Sequence, residues 1–365
     1  DATDAAPTHH REAHRQPHHL LRRVVDVRSG EVKATLLAAA YFFFVLSSYY
    51  VLRPIRDTLG AGELENVPIL FTAGLVGMLA LNPVYCAVVA RYRRRQFVPY
   101  AYRFFALNLV LFFLALSFLP ASATPWIGGV FFVWVGVFNM FVVSIFWAFM
   151  ADVFRSEQGA RLFGFIGIGG TVGGMTGSLL TTQLVGVVGV TGMLLASAIL
   201  MEAATRLAIA LGRHATRESI APADATEDTG QGPGATGQGP GDPAAVRDEP
   251  IGGSAWEGIR DALSNRFLLA IVAFMLLFTI GSTLLYFQRL AIVADAFPDR
   301  TARVHYFARV DLIVNLLTLV TQAFVTGRLI RRLGVAWTLA LLPVVSIAGF
   351  LALGAMPTLF VLVAF

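Results

Sequence analysis

The sequence predicts an all-α protein that crosses a membrane many times. Three observations carry that expectation. Of 365 residues, 56% are hydrophobic and only 14% charged, against roughly 25% charged in an ordinary soluble domain. Apolar runs recur along the chain, each near the ~20 residues that a bilayer span requires. One polar stretch interrupts them, and features that precede it return after it at a nearly fixed offset.

Residues 1–33 are polar and basic, with no cleavable signal peptide. His9, His10, His14, His18 and His19 cluster there, and the composition reads as a disordered tail, with metal binding the alternative. Apolar runs follow at 34–54, 67–90, 97–119, 126–150, 163–187, 190–211, 267–290, 303–327 and 335–356, with a last one from 357 cut short by the end of the chain. The abundance of Phe, 29 residues, suits helices that face lipid. Cys86 is the single cysteine, so no intrachain disulfide forms.

The polar loops sort by charge. Arg91 to Arg95 follow the second span, Arg155 and Arg161 the fourth, Arg213 and Arg217 the sixth, and Arg328, Arg331 and Arg332 the eighth. Loops near 120–125 and 187–190 carry no basic residue; Arg56 and Arg300 are the exceptions on that side. Topology follows Lys and Arg in short loops, which places the N-terminus in the cytoplasm, here of a bacterial inner membrane. The net charge of +5 sits in those short loops, so nucleic-acid binding is excluded.

Residues 214–255 are rich in Gly, Pro, Ala, Asp and Thr and carry TGQGPG twice, a composition that buries no core. They are predicted to be a flexible cytoplasmic linker between an N-terminal bundle, 34–213, and the start of a second, 256–365. Tyr286 to Arg289 lies 236 residues after Tyr50 to Arg53, and Arg328, Arg331 and Arg332 stand one residue further from their counterparts Arg91, Arg94 and Arg95. Two features at nearly one offset predict duplicated halves in parallel topology, an arrangement found in secondary transporters.

Six spans, a linker, and basic loops after spans two and eight resemble the major facilitator superfamily. GRLIRRLG, Gly327 to Gly334, is similar to its basic-loop motif, without the usual acidic residue. The resemblance implies two six-helix halves, the second truncated here. YYVLRPIRDTLG and FWAFMADVFRSEQGARLFG further resemble the bacterial branch of the ATP/ADP translocase (nucleotide transporter) family. Leu52, Arg53, Arg56 and Asp57 occupy its span-one motif, with Arg56 where the carriers have lysine. A glutamate of its fourth span has no counterpart among residues 130–150, which argues against strict ATP/ADP exchange.

The stretch Ser48 to Gly60 places Arg53, Arg56 and Asp57 at the end of span one, and Pro54 is expected to break the helix there. Two arginines at a broken membrane helix suggest a site for an anion, snorkelling at the interface being the alternative. The resemblance sets Arg53 and Arg289 across a central cavity, where guanidinium forks match phosphate or carboxylate. Tyr49, Tyr50 and Tyr286 accompany them, and Asn139 and Trp147 in span four either line the cavity or pack the core. In span eight, Asp311, Asn315 and Thr318 share a helical face beside Arg309, a candidate coupling stripe, with His305 a turn earlier. Glu202 in span six either couples transport or is neutralised by Arg206 four residues on. Asp152, Arg155, Glu157 and Arg161 are expected to form a gating network, an ordinary solvated loop being the alternative. Gly169, Gly173 and Gly177 permit close helix approach, and GGTVGG resembles the span-five motif of superfamily antiporters.

No nucleophile–base set, zinc spacing or paired carboxylates appear in the spans, so neither an enzyme nor a cofactor is expected. The expectation is a monomeric secondary transporter of a small anionic solute, phosphorylated or nucleotide-like, working by alternating access. The alternatives are a proton-coupled permease for another small organic molecule and a transport-inactive membrane sensor or scaffold.

Overall fold

The run Ala34 to Leu52 is apolar on every face, and a helix of that kind is stable only inside a bundle. The computed structural model bears this out. It describes residues 31–62, 66–91, 94–220, 264–321, 325–356, 358 and 361. Helix α1 (Val32–Gly62) buries Ala38, Ala39, Phe42, Ser47, Val51, Leu52 and Asp57 around its circumference. It is the central helix of its bundle, packed on α4 (Thr124–Val153) and on α7 (Arg300–Val320). Helices α2 (Val67–Arg91) and α3 (Arg94–Phe118) also pack on α4.

Pro54 does not break α1, contrary to expectation. The helix runs eight residues past it to Gly62 and carries Arg56 and Asp57 within its body. A proline removes one backbone donor and strains one turn; packed neighbours hold the helix together across it, and Pro54 and Ile55 are both buried.

Helix α5 (Ser156–Ile220) contains spans five and six, separated by a break at Gly189, where φ is 72° and a side chain would be strained. It extends to Ile220, several residues into the stretch read as linker. Helix α6 (Arg266–Ala296) precedes α7, whose first turn is capped by Asp299: its carboxylate accepts the Ala302 N–H at 2.8 Å. Helix α8 (Thr326–Ala355) breaks at Gly334, φ 77°. No strand occurs among the described residues.

Phenylalanine fills the interior as well as the lipid face. Phe131, Phe138, Phe146, Phe149 and Phe307 are all fully buried. Phe42 stacks on Phe146 with ring centroids 4.2 Å apart, and Phe105, Phe112, Phe131, Trp134 and Phe138 form a second ring cluster. A polar relay crosses this core. The Tyr41 hydroxyl donates to that of Tyr102 at 2.6 Å, and Tyr102 donates to the Val142 carbonyl at 3.0 Å, tying α1, α3 and α4 together.

Contacts divide the chain into two compact units. The first holds α1 to α4, α5 to Glu218, α7, and α8 to Val344; the second holds α6 and α8 from Val345. In the second, Gly281 of α6 sits under the Phe350 ring of α8. The histidine cluster of the N-terminal tail and residues 221–263 lie outside the described residues, as do the side chains of Cys86, Arg91, Arg94, Arg95, Arg328 and Arg331.

Candidate functional site

Helices α1 and α5 meet backbone to backbone. A Cβ on Gly173 would strike the Phe43 carbonyl, and one on Gly177 the Ser47 carbonyl; Gly169 faces Ala39 in the same way. The four-residue glycine stripe is thus the seam against α1. Hydroxyls fasten it: Ser47 Oγ donates to the Gly173 carbonyl at 2.9 Å, Ser48 Oγ meets Ser197 Oγ at 2.8 Å, and Ser197 Oγ donates to the Ser48 carbonyl at 3.1 Å.

One turn past the seam, α1 presents Tyr49, Tyr50 and Arg53. The tyrosine rings lie 5.4 Å apart, and the Arg53 Cζ stands 5.6 Å from the centre of the Tyr50 ring, within cation–π range. Arg53 Nη1 faces the Asp311 Oδ1 of α7 at 3.4 Å. The two partners differ in access: the Asp311 side chain is 2% exposed and that of Arg53 27%. One turn further along α7, Asn315 is buried and donates from Nδ2 to the Asp311 carbonyl at 2.8 Å. Gly174 of α5 closes the arrangement. A Cβ there would lie 3.0 Å from the Tyr50 ring and 3.2 Å from Asn315 Oδ1. Residues expected to bind substrate, Tyr50 and Arg53, are therefore directly joined to residues expected to couple transport, Asp311 and Asn315.

The other candidates distribute around this centre. Arg56 donates to the buried Asp57 carboxylate at 2.8 Å, and its Cζ lies 5.5 Å from the Phe132 ring. Trp147 belongs to the aromatic core, edge-on to Phe42, Phe146 and Phe163. Asn139 is half-buried on α4. Tyr286 and Arg289 lie on α6, in the second unit. Asp311, Asn315 and Thr318 fall on one face of α7. Asp311 and Asn315 share a buried face with Val304, Phe307 and Ala308, whereas Thr318 is exposed and bonds its own helix at the Val314 carbonyl. Arg309 is also exposed, because it stands two positions from Asp311 and so on the opposite side of the helix.

The expected gating residues Asp152, Arg155, Glu157 and Arg161 lie where α4 gives way to α5. Arg161 bonds Glu31 at 3.1 Å, and Gln158 Nε2 donates to the same carboxylate at 2.9 Å while its Oε1 accepts the Arg155 N–H. Asp152, Arg155 and Glu157 are exposed. Glu202 pairs with Arg206 at 3.2 Å and with Arg103 of α3 at 3.3 Å. Glu31 and Arg103 went unnoticed in the sequence. Arg103 had a signal, being an ionisable residue inside an apolar run and hence in need of a partner. Glu31 had none, since it borders a polar tail. Among the described residues no group of three or more His, Cys, Asp or Glu is placed to hold a metal ion.

Among the described residues, Val32–Gly60, Phe97–Phe118, Thr124–Val153, Arg161–Ala215 and Arg266–Ala296 are long and apolar enough to cross a membrane. Helices of that length and composition define the class of a multi-pass helical membrane protein. Over residues 34–365 the chain matches the Major Facilitator Superfamily, and it belongs to that family. Its setting is therefore the lipid bilayer and its cargo a small solute. Comparison with curated proteins and with solved structures finds no match.

Proposed function

We propose that this transporter moves a small anionic solute, phosphorylated or nucleotide-like, by alternating access, with Arg53 as the ligand for the anionic group. One observation carries the reading: Arg53 is partly exposed beside two tyrosines, and the carboxylate that holds it is buried. A guanidinium offers five donors in a planar fork. An arriving phosphate or carboxylate can share that fork with Asp311 or displace it. Displacement loosens α1 from α7, which links binding to helix movement. Tyr50, already stacked near the guanidinium, supplies a face or a hydroxyl to the solute. Arg289 is proposed as a further ligand on the sequence repeat alone, since Tyr286 and Arg289 reproduce Tyr50 and Arg53. The N-terminus is taken as cytoplasmic and the membrane as a bacterial inner membrane.

The likeness of YYVLRPIRDTLG to nucleotide carriers makes ATP and ADP the first solutes to try. Purified protein in liposomes, loaded with ADP or empty, is offered labelled ATP with and without a pH gradient. Entry confined to loaded vesicles supports nucleotide exchange. Entry that follows the pH gradient favours a proton-coupled permease, a reading that the buried Asp311 also supports, because a proton there would release Arg53. No entry of ATP or of other phosphorylated or carboxylate solutes under any condition refutes the anion reading.

A further inference from the structure

The first unit carries a second charged cluster, remote in sequence from Arg53 and on its outer surface. Arg103 of α3 and Arg206 of α5 both bond Glu202, at 3.3 and 3.2 Å, and the arginine side chains are 53% and 77% exposed. Mutual neutralisation accounts for only one of the two arginines and leaves a net positive charge. Arg213 lies two turns beyond Arg206 and is also exposed.

The depth of the cluster follows from helix geometry. Tyr100 is exposed at one end of α3 and Phe118 at the other, with Trp126 exposed at the start of α4. Tyr100 and Phe118 are about 27 Å apart along the axis, close to the ~30 Å of a hydrocarbon core with aromatic residues at both borders. Arg103 is one turn inside Tyr100, at the border between headgroups and acyl chains. From there Phe104, Leu107 and Leu111 of α3 and Ile199 of α5 are exposed towards the membrane interior. A cationic head position thus opens on an apolar track.

We propose that Arg103 and Arg206 hold the phosphate of an anionic phospholipid, which competes with Glu202 for the two guanidinium groups, and that Leu107, Leu111 and Ile199 receive the acyl chains. The match is one of charge and length together. A soluble phosphate satisfies only the arginines, and a zwitterionic lipid brings an ammonium group towards the same positive cluster. A lipid held here bridges α3 to the second half of α5.

Native mass spectrometry of the purified protein, titrated with phosphatidylglycerol and with phosphatidylcholine, tests this. The expected result is one retained phosphatidylglycerol with roughly a tenfold or greater preference, the scale set by two arginines near a membrane surface. Arg103→Gln with Arg206→Gln lowers retention to that of phosphatidylcholine, and the paired Lys substitutions preserve it. Glu202→Gln removes the competing carboxylate and raises retention, which keeps the test open should the paired Gln variant fail to fold. Equal retention of the two lipids, no rise with Glu202→Gln, or displacement of the lipid by millimolar glycerol phosphate overturns the proposal.

Discussion

Arg53 and Asp311 stabilise each other, and their unequal exposure predicts how each fails. Removing Arg53 leaves a nearly buried carboxylate without its guanidinium; removing the carboxylate leaves a cation that still reaches solvent. Breaking a buried pair by truncating one partner is strongly destabilising. Arg53→Ala is therefore expected to lower thermal stability more than Asp311→Asn does. The double variant should be more stable than the sum of the single effects allows, by roughly 1 kcal/mol or more for contacting residues; additive losses in detergent melting curves would show that the pair is not coupled. A second residue-scale prediction concerns the buried relay. Tyr41→Phe removes the donor to Tyr102 but leaves the Tyr102 bond to Val142 intact. A loss of about 1 kcal/mol is expected, the net worth of one hydrogen bond, and no loss would mean the relay is structurally idle.

Helices α1 and α5 work as a pair because glycine lets their backbones touch. Gly173→Ala places a methyl group against the Phe43 carbonyl, and a backbone atom of a central helix has nowhere to move. The variant should destabilise by roughly 1–3 kcal/mol, the range for overpacking, and loosen the Ser47 bond. Gly164→Ala, on the same helix with nothing within 4 Å, is the control; it should be neutral or stabilising, because alanine favours helix by up to about 1 kcal/mol. Equal effects at both positions in thermal unfolding would refute the close-packed seam. The glycine spacing was readable in the sequence because small residues four apart can serve little else in a span. The fate of Pro54 was not. Whether a proline ends a helix depends on the helices packed against its own, and α1 packs on α4 and α7, far away in sequence.

At the scale of the whole molecule, the all-α membrane architecture was legible from composition and span length. Arg53, Asp311 and Asn315 were each readable as charged or polar groups inside apolar runs. Their meeting was not, since no local spacing encodes the packing of α1 on α7; for the same reason nothing local paired Arg161 with Glu31, which precedes α1. Orientation is a separate prediction, drawn from the basic loops. In a Cys86→Ser background, Ser122→Cys should react with an impermeant maleimide on intact cells, and Arg213→Cys only after permeabilisation. The reverse pattern would place the N-terminus outside.

The central claim is that Arg53 binds the anionic part of the solute, and uptake into liposomes tests it most directly. Wild type, Arg53→Lys and Arg53→Ala would be compared for entry of a labelled phosphorylated solute. A charged hydrogen bond is worth roughly 1.5–3 kcal/mol, so Arg53→Ala should raise the half-saturating concentration about tenfold or more, with Arg53→Lys between the two. Full uptake by Arg53→Ala at wild-type affinity would contradict the account.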